Sequence, residues 1–321
     1  MKKAVVIGAT GHVGTYLVPR LVRMGYQVTA VSRGTRDPYT LFPEWHEVER
    51  VQLDRLALEK ADGFGCKIAA MNPDVVVDMI SLDYHSTIET VEALKGANVS
   101  HYLFASSIWE HGASFTVPAD EDTPRKPIDD YGRDKIRSIE YLHGEYEKHG
   151  FPYTAVMPGH ISGPGWTCIN PTGNHDPSVF TAIAHGERIY VPNFGVECVH
   201  HVHADDVAQV FELAIRHRDA ALDQDFLAVA PKAITLRGYA EHMYEWFGKE
   251  ANIEYLPWPE WVKVTADEEK INRTWRHITH CNNYSCEKAR RILGYVPLYS
   301  GMDAVHEAVR SMIDRGVVET D

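Results

Sequence analysis

Short apolar runs alternate along this chain with stretches in which apolar residues recur every three or four positions. "KKAVVIG" is a run of the first kind, stopped by Gly8. "HVGTYLVPRLVRMG" is of the second kind, with Val13, Leu17, Leu21 and Met24 on one helical face. Gly25 stands where a glycine would end that helix. "QVTAVSRG", "EVERVQLDR", "PDVVVDMIS" and "SHYLFASS" predict four more strands, and "DGFGCKIAAMN" and "TIETVEALKG" predict helices between them. Further on, "YGRDKIRSIEYLHGEYEKHG" predicts a long helix and "PYTAVMPGHISG" a sixth strand.

Strands that are apolar throughout, separated by helices, belong to a parallel sheet covered on both faces, and its crossovers are right-handed. The expected class is therefore α/β, a Rossmann-like doubly wound parallel sheet. From about residue 164 the texture changes. "PGWTCINPTGNHDPSV" is rich in Pro, Gly and Asn and reads as a long loop of the kind that is usually functional or mobile. "VHHVHADDVAQVFELAIRH" returns to strand and helix, with Asp205 or Asp206 as the expected N-cap. "AITLRGYAEHMYEWFG" and "SCEKARRILG" predict two more helices. Residues 1–163, with 199–230 returning to them, are expected to form the sheet domain. Residues 164–198 and 231–321 are expected to form mainly a smaller, interleaved C-terminal lobe that holds substrate.

Composition narrows the function classes. The chain has 321 residues, 44% of them hydrophobic, and a formal net charge of −13. Without a basic stripe, that charge disfavours a nucleic-acid partner. No window approaches the roughly 18 apolar residues of a membrane span, and the apolar run after the two leading lysines is too short for a signal peptide. The expected location is the cytoplasm, with no membrane partner. The five cysteines are scattered and odd in number, which suits reduced thiols. Cys281 and Cys286 lie near His277 and His280 at a spacing that matches no standard zinc pattern, and no metal is expected.

"VIGATGHVG" places Gly8, Gly11 and Gly14 between a strand and a helix, within a β-α-β unit. Such a loop lets the backbone approach a pyrophosphate, and the helix N-terminus then supplies N–H groups and positive potential. Thr10, His12 and Val13 belong to the same cradle. An NAD enzyme usually carries an acid at the end of the second strand, about 20 residues past the glycines. This chain has Ser32 and Arg33 there, and a cation can pair with a 2′-phosphate. NADP(H) is accordingly favoured, with NAD(H) the alternative. Asp54 and Arg55, after the third strand, are expected at the adenine edge.

Tyr131 and Lys135 stand four apart on the long helix and share a face. A phenol is a poor base at neutral pH, and a neighbouring ammonium together with an oxidised nicotinamide favours the phenolate. Tyr131 can then take a proton from a hydroxyl as hydride leaves the same carbon, or protonate a carbonyl as hydride arrives. The glycine loop, "FASSIWEHG", "YGRDK", "PGHISGPG", "HVHADDVA" and "SCEKARRILGYVP" together resemble the extended short-chain dehydrogenase/reductases, the NAD(P)-dependent epimerase/dehydratase family. The resemblance runs nearly end to end. It implies Tyr131 as acid/base, Lys135 as its helper and holder of the nicotinamide ribose, and Ser107 as the hydrogen-bonding partner of the reacting oxygen. It also implies Ile80 and Ser81 near the cofactor ribose, Pro158 and Ile161 around the nicotinamide, and a homodimer.

The departures from that pattern bear on substrate. Ile108 and Trp109 stand where dehydratases of the family resemble one another in an Asp-Glu pair, so elimination of water is not expected. Val199 replaces an arginine that meets the diphosphate in many nucleotide-sugar members, and Gly159 and His160 replace an asparagine. The expected chemistry is hydride transfer at a secondary hydroxyl or ketone of a carbohydrate-like small molecule, by an epimerase or a dehydrogenase/reductase. The alternatives are an NADPH-dependent reductase of a non-sugar ketone and a non-catalytic NAD(P)-sensing or RNA-binding relative. Glu110, His111, His160, Trp166, Asn170, Asn174 and His201 are the candidate substrate contacts.

Overall fold

The β-branched runs form the core of a seven-stranded sheet in a computed structural model that describes residues 1–60, 63–280 and 282–320. Asp62, at the start of one predicted helix, and Cys281, one of the two thiols weighed for zinc, lie outside the described residues. The predicted strands are β1 (Lys3–Ile7), β2 (Gln27–Ser32), β3 (Glu49–Gln52), β4 (Val75–Asp78), β5 (His101–Ala105) and β6 (Tyr153–Pro158). A seventh, Gln224–Ala228, pairs with β6. The order across the sheet is Gln224–Ala228, β6, β5, β4, β1, β2, β3, and every pairing is parallel. This is the doubly wound α/β class. The order reverses between β1 and β4, and in such sheets ligands bind in the crevice at that switch point, beyond the carboxyl ends of the strands.

Helices cover both faces, and two apolar clusters fill the space beneath them. Helix α1 (His12–Arg23) buries Leu17, Val18 and Leu21 against the sheet. Its Arg20 pairs with Asp205 and Glu212 of the helix Ala204–Arg216, which locks the two helices side by side. The cap of Ala204–Arg216 differs from the expected aspartate. His203 Nδ1 accepts from the Asp205 amide at 3.0 Å and takes the N-cap role. The predicted sixth strand also ends early. The Gly159 amide still donates to Ala228, and His160–Ser162 then crosses to pair with His201–His203. The strand Gln224–Ala228 escaped the sequence pattern because acidic Asp223 and Asp225 interrupt its short apolar run.

A third cluster, from Cys168 and Phe180 to Tyr239, Tyr244 and Val309, forms the core of the smaller lobe. Four helices there were not predicted: Ser178–Ala184, Trp258–Thr265, Glu268–Thr279 and Gly301–Asp314. The segment around Tyr284, Ala289, Leu293 and Tyr295, assigned to this lobe from sequence, packs instead into the sheet-side core. Among the described residues, no helix is long and apolar enough to cross a membrane.

Candidate active site

A groove of about 410 Å³ opens at the switch point. On one side is the glycine loop. Gly8 has φ +86°, and a Cβ there would stand 2.9 Å from the Ile80 side chain. Glycine is therefore the residue that lets the β1–α1 turn close against the end of β4. Gly11, the N-cap of α1, makes no side-chain capping bond, and the first turn carries no acidic residue. The free N–H groups and positive end of α1 are thus left for an anion, which fits a dinucleotide pyrophosphate. Gly8, Gly11, His12, Val13, Gly14 and Ile80 line this end, and Thr10 is buried within the turn. Ser32 Oγ accepts from the Gly34 amide at 3.2 Å and shapes the exit of β2. Arg33 is exposed, and Arg36, which lies outside the glycine motif and the end of β2, reaches the groove.

Opposite lies the tyrosine. Asp129 caps the helix Asp130–His149 by accepting from the Gly132 amide at 2.9 Å, which puts Tyr131 in the first turn. A Cβ on Gly132 would come 2.6 Å from the Trp109 carbonyl oxygen. That close approach brings Tyr131 onto the segment after β5, where its hydroxyl faces the Ser107 side chain. Burial pushes the Tyr131 phenol up to about 12, and the neighbouring Ser107 hydroxyl works against that rise. Lys135 is 2% exposed, and its Nζ donates to the Ser81 and Ala105 carbonyls at 2.6 and 2.7 Å. Burial lowers the Lys135 ammonium to about 8, opposed by the charges of Asp78 and Glu110, and leaves it a cation at neutral pH. Its Nζ lies 5.5 Å from the centre of the Tyr131 ring. Pro158, Ile161, Ser106 and Ser107 complete this wall.

Several expected contacts stand elsewhere. Arg55 is 4% exposed and makes an internal ion-pair network. It donates to Glu59 at 2.6 Å, to Asp78 at 2.7 and 2.9 Å, and to the Ser86 carbonyl and Thr90 hydroxyl. With its donors engaged inside the protein it cannot serve the adenine edge. Asp54 caps the short helix Arg55–Glu59 and remains exposed. Ser81 is fully buried, its hydroxyl bonded to Thr87. It touches the site through the carbonyl that holds Lys135.

Glu110 and His111 do not line the groove, because the turn after Ser107 carries both inward to full burial. Glu110 accepts from Ser106 Oγ and lies 3.1 Å from Arg125, which in turn pairs with Asp225. Burial raises the Glu110 carboxyl to about 8 despite Arg125. Asn170 and Asn174 staple the long loop to itself. The Asn170 side chain bonds Thr172, Asn174 and Asp176, and the Asn174 side chain reaches Thr172 and Thr274. His201 is buried behind the wall with Nδ1 on Ser162 Oγ. Trp166 does line the groove, but it stacks on His12 at 5.1 Å and so covers the glycine-loop end.

His160 lines the groove as expected, and two further histidines that sequence reasoning did not nominate join it: His175 from the long loop and His277 from Glu268–Thr279. Trp109 packs edge-on to Tyr131 at 6.1 Å and stacks on His280 at 4.6 Å. The loop-like texture around residue 175 was the available signal for His175. His277 sits on Glu268–Thr279, a helix outside the predicted elements. Among the described residues no group of three or more His, Cys, Asp or Glu is arranged to hold a metal.

An uncapped glycine-loop helix thus faces Ser107, Tyr131 and Lys135 across the switch point of a doubly wound parallel sheet. The chain belongs to the NAD dependent epimerase/dehydratase family, whose model matches residues 4–230. It is similar to a UDP-glucose 4-epimerase of Lacticaseibacillus casei, 24% identical over 337 residues that cover 94% of each chain. It is also similar to the chloroplast stem-loop binding protein of 41 kDa b of Arabidopsis thaliana, at 23% identity over 98% of this chain and 80% of that one. Among solved structures, a UDP-glucuronic acid 4-epimerase from Bacillus cereus, in complex with UDP-glucuronic acid and NAD, superposes with a TM-score of 0.74. It shares 14% identity, covering 98% of this chain and 99% of the other.

Proposed function

We propose that this protein is an NAD(P)-dependent enzyme that interconverts a secondary hydroxyl and a ketone on a sugar-like small molecule, as an epimerase or a reductase. The observation that carries the reading is the juxtaposition of Tyr131 and Ser107, with the Lys135 ammonium beneath them, across one groove from an uncapped helix N-terminus. A nicotinamide dinucleotide held on that terminus would supply the hydride donor or acceptor.

The chain's own groups handle the proton. Tyr131 gives its phenolic proton to a carbonyl oxygen in reduction and takes one from an alcohol in oxidation. Ser107 bonds the same oxygen and orients it. Lys135 sets a positive charge near the phenol and lowers the cost of the phenolate in a buried site. Because burial holds Tyr131 protonated, the resting protein is poised as the acid. Arg33 and Arg36, past the end of β2, support NADP(H) over NAD(H).

One observation favours a second reading, RNA binding: the likeness to the stem-loop binding protein. The charge of −13 and the retained Tyr131–Lys135 pair weigh against it. The test is to mix the purified protein with NADPH and a panel of keto sugars, and separately with NADP⁺ and the corresponding hydroxy sugars, following nicotinamide absorbance and the hydroxyl stereochemistry of the products. NADPH loss matched by carbonyl loss supports the reductase. Inversion of a hydroxyl centre with no net NADPH change supports the epimerase. Neither change with any compound, beside tight binding of a stem-loop RNA, overturns the enzyme reading.

A further inference from the structure

Beyond Tyr131 the groove ends in a wall of imidazoles that the proton chemistry leaves unused. His160, His175 and His277 line it, with Trp109 at its side. The ring centroids of His277 lie 5.4 Å from His160 and 5.2 Å from His175. Backbone contacts set two of the ring tautomers. The His200 amide donates to His160 Nδ1 at 3.1 Å, so the neutral His160 ring carries its proton on Nε2. That Nε2 is buried and has no hydrogen-bond partner among the described residues. His277 Nδ1 donates to the Gly173 carbonyl at 2.7 Å, which leaves a lone pair on its Nε2. The wall thus offers a fixed donor beside a fixed acceptor.

The cations near this end are already paired. Arg36 is the one cation among the described residues that line the groove, and it belongs to the glycine-loop end. No Asp or Glu is among those lining residues. Around the wall stand His200 and His201 on one side, and Arg273, Arg276 and His280 on and after Glu268–Thr279. Arg273 pairs with Glu269, and Arg276 pairs with Asp129. Burial lowers His277 to about 3 and His175 to about 4, and moves His160 well below its ordinary value, so all three are neutral at physiological pH. Arg276 lies over Trp109 at 4.7 Å, and Lys270 pairs with Asp176, so a diphosphate placed here would lose its hydration and find only cations already held by carboxylates. The cavity of about 410 Å³ lies near the small end of ligand sites, roughly 300–1,000 Å³, and it serves cofactor and substrate together.

We infer that the substrate is an uncharged polyhydroxylated ring, a free sugar or cyclitol rather than a nucleotide-linked one, whose adjacent hydroxyls are read by His160 as donor and His277 as acceptor. This rests on the hydride-transfer reading above and names the substrate class of the same site.

The test is calorimetric titration of the NADP⁺-loaded protein with D-glucose, myo-inositol, UDP and UDP-glucose. At least one of the two neutral polyols is expected to bind, and UDP is not. Replacing His160 with Leu should weaken the polyol about tenfold or more, whereas His160→Gln, which keeps an N–H donor, should stay within about threefold. NADP⁺ binding should be unchanged in both, which reports that the variants are folded. Polyol affinity should be flat from about pH 7 to pH 5, below the range in which Lys135 and Glu110 titrate, since a neutral imidazole wall does not titrate there. Binding of UDP or UDP-glucose that tightens as pH falls would overturn the inference, and so would failure of both neutral polyols to bind. Polyol binding without any turnover would reject the hydride-transfer reading and leave the pocket assignment standing.

Discussion

The two ends of the groove are built differently. The glycine-loop and tyrosine end is made of contiguous signals: a strand, a turn and a helix within a few residues, and a Tyr-Lys pair one helical turn apart. The histidine end is assembled from the crossing strand at His160, the long loop at His175 and the helix Glu268–Thr279 at His277. The first end carries charge, in an uncapped helix terminus, Arg36 and Lys135. The second is lined by uncharged imidazoles, with Arg273 and Arg276 behind them held in ion pairs. A shared scaffold can keep its proton and hydride machinery within local sequence while long-range packing sets what is bound.

Three substitutions break or sharpen that comparison. The largest effect is expected from Arg55→Leu, at the sheet end. It leaves Asp78, which is 0% exposed, without its ion-pair partner, and breaking a buried pair typically costs about 3–5 kcal/mol. Chemical denaturation should show that loss. Asp78 ends β4 at the switch point, so cofactor affinity should fall with it.

Glu110→Gln comes next. The folded Glu110 carboxyl sits near 8, above its ordinary 4.5, so the native state holds the proton more tightly than the unfolded chain does. This group's contribution to stability is therefore full below about pH 4.5 and declines as pH rises toward about 8, by up to ~1.4 kcal/mol per pH unit. The glutamine variant lacks that term. Thermal melts across this range should show the wild type losing stability relative to the variant as pH rises. A constant difference would mean that Arg125 keeps Glu110 ionised throughout.

The smallest effect is expected from Arg36→Ala. Loss of one charge-assisted contact should weaken NADPH by about tenfold and NADH much less, as fluorescence titration would show. Equal weakening of both would place Arg36 on the pyrophosphate instead.

Much of the sheet end was legible because its signals are local. Apolar runs, a glycine triplet and an i, i+4 pair need no knowledge of the rest of the chain. Arg55 was misread for the same reason. Its position after β3 suggested the adenine, but the partners that bury it come from β4 and the following helix. Glu110 and His111 stand only three and four residues past Ser107 in the chain, yet the turn after β5 carries them into the interior. Asn170 and Asn174 sit in a loop whose texture signalled function. In it the asparagines hold the loop's shape, and the neighbouring His175 reaches the groove. His277 was out of reach, because only the packing of Glu268–Thr279 over Trp109 brings it to the site.

The most direct test of the central claim is deuterium transfer from the carbon-labelled hydride position of NADPD to a panel of keto sugars, compared between wild type and Tyr131→Phe. The wild type is expected to place carbon-bound deuterium in a product. The phenylalanine variant should bind the cofactor normally and transfer on the order of 10²–10⁴ times more slowly. Equal transfer by both proteins, or none by the wild type with any carbonyl compound offered, would contradict the account.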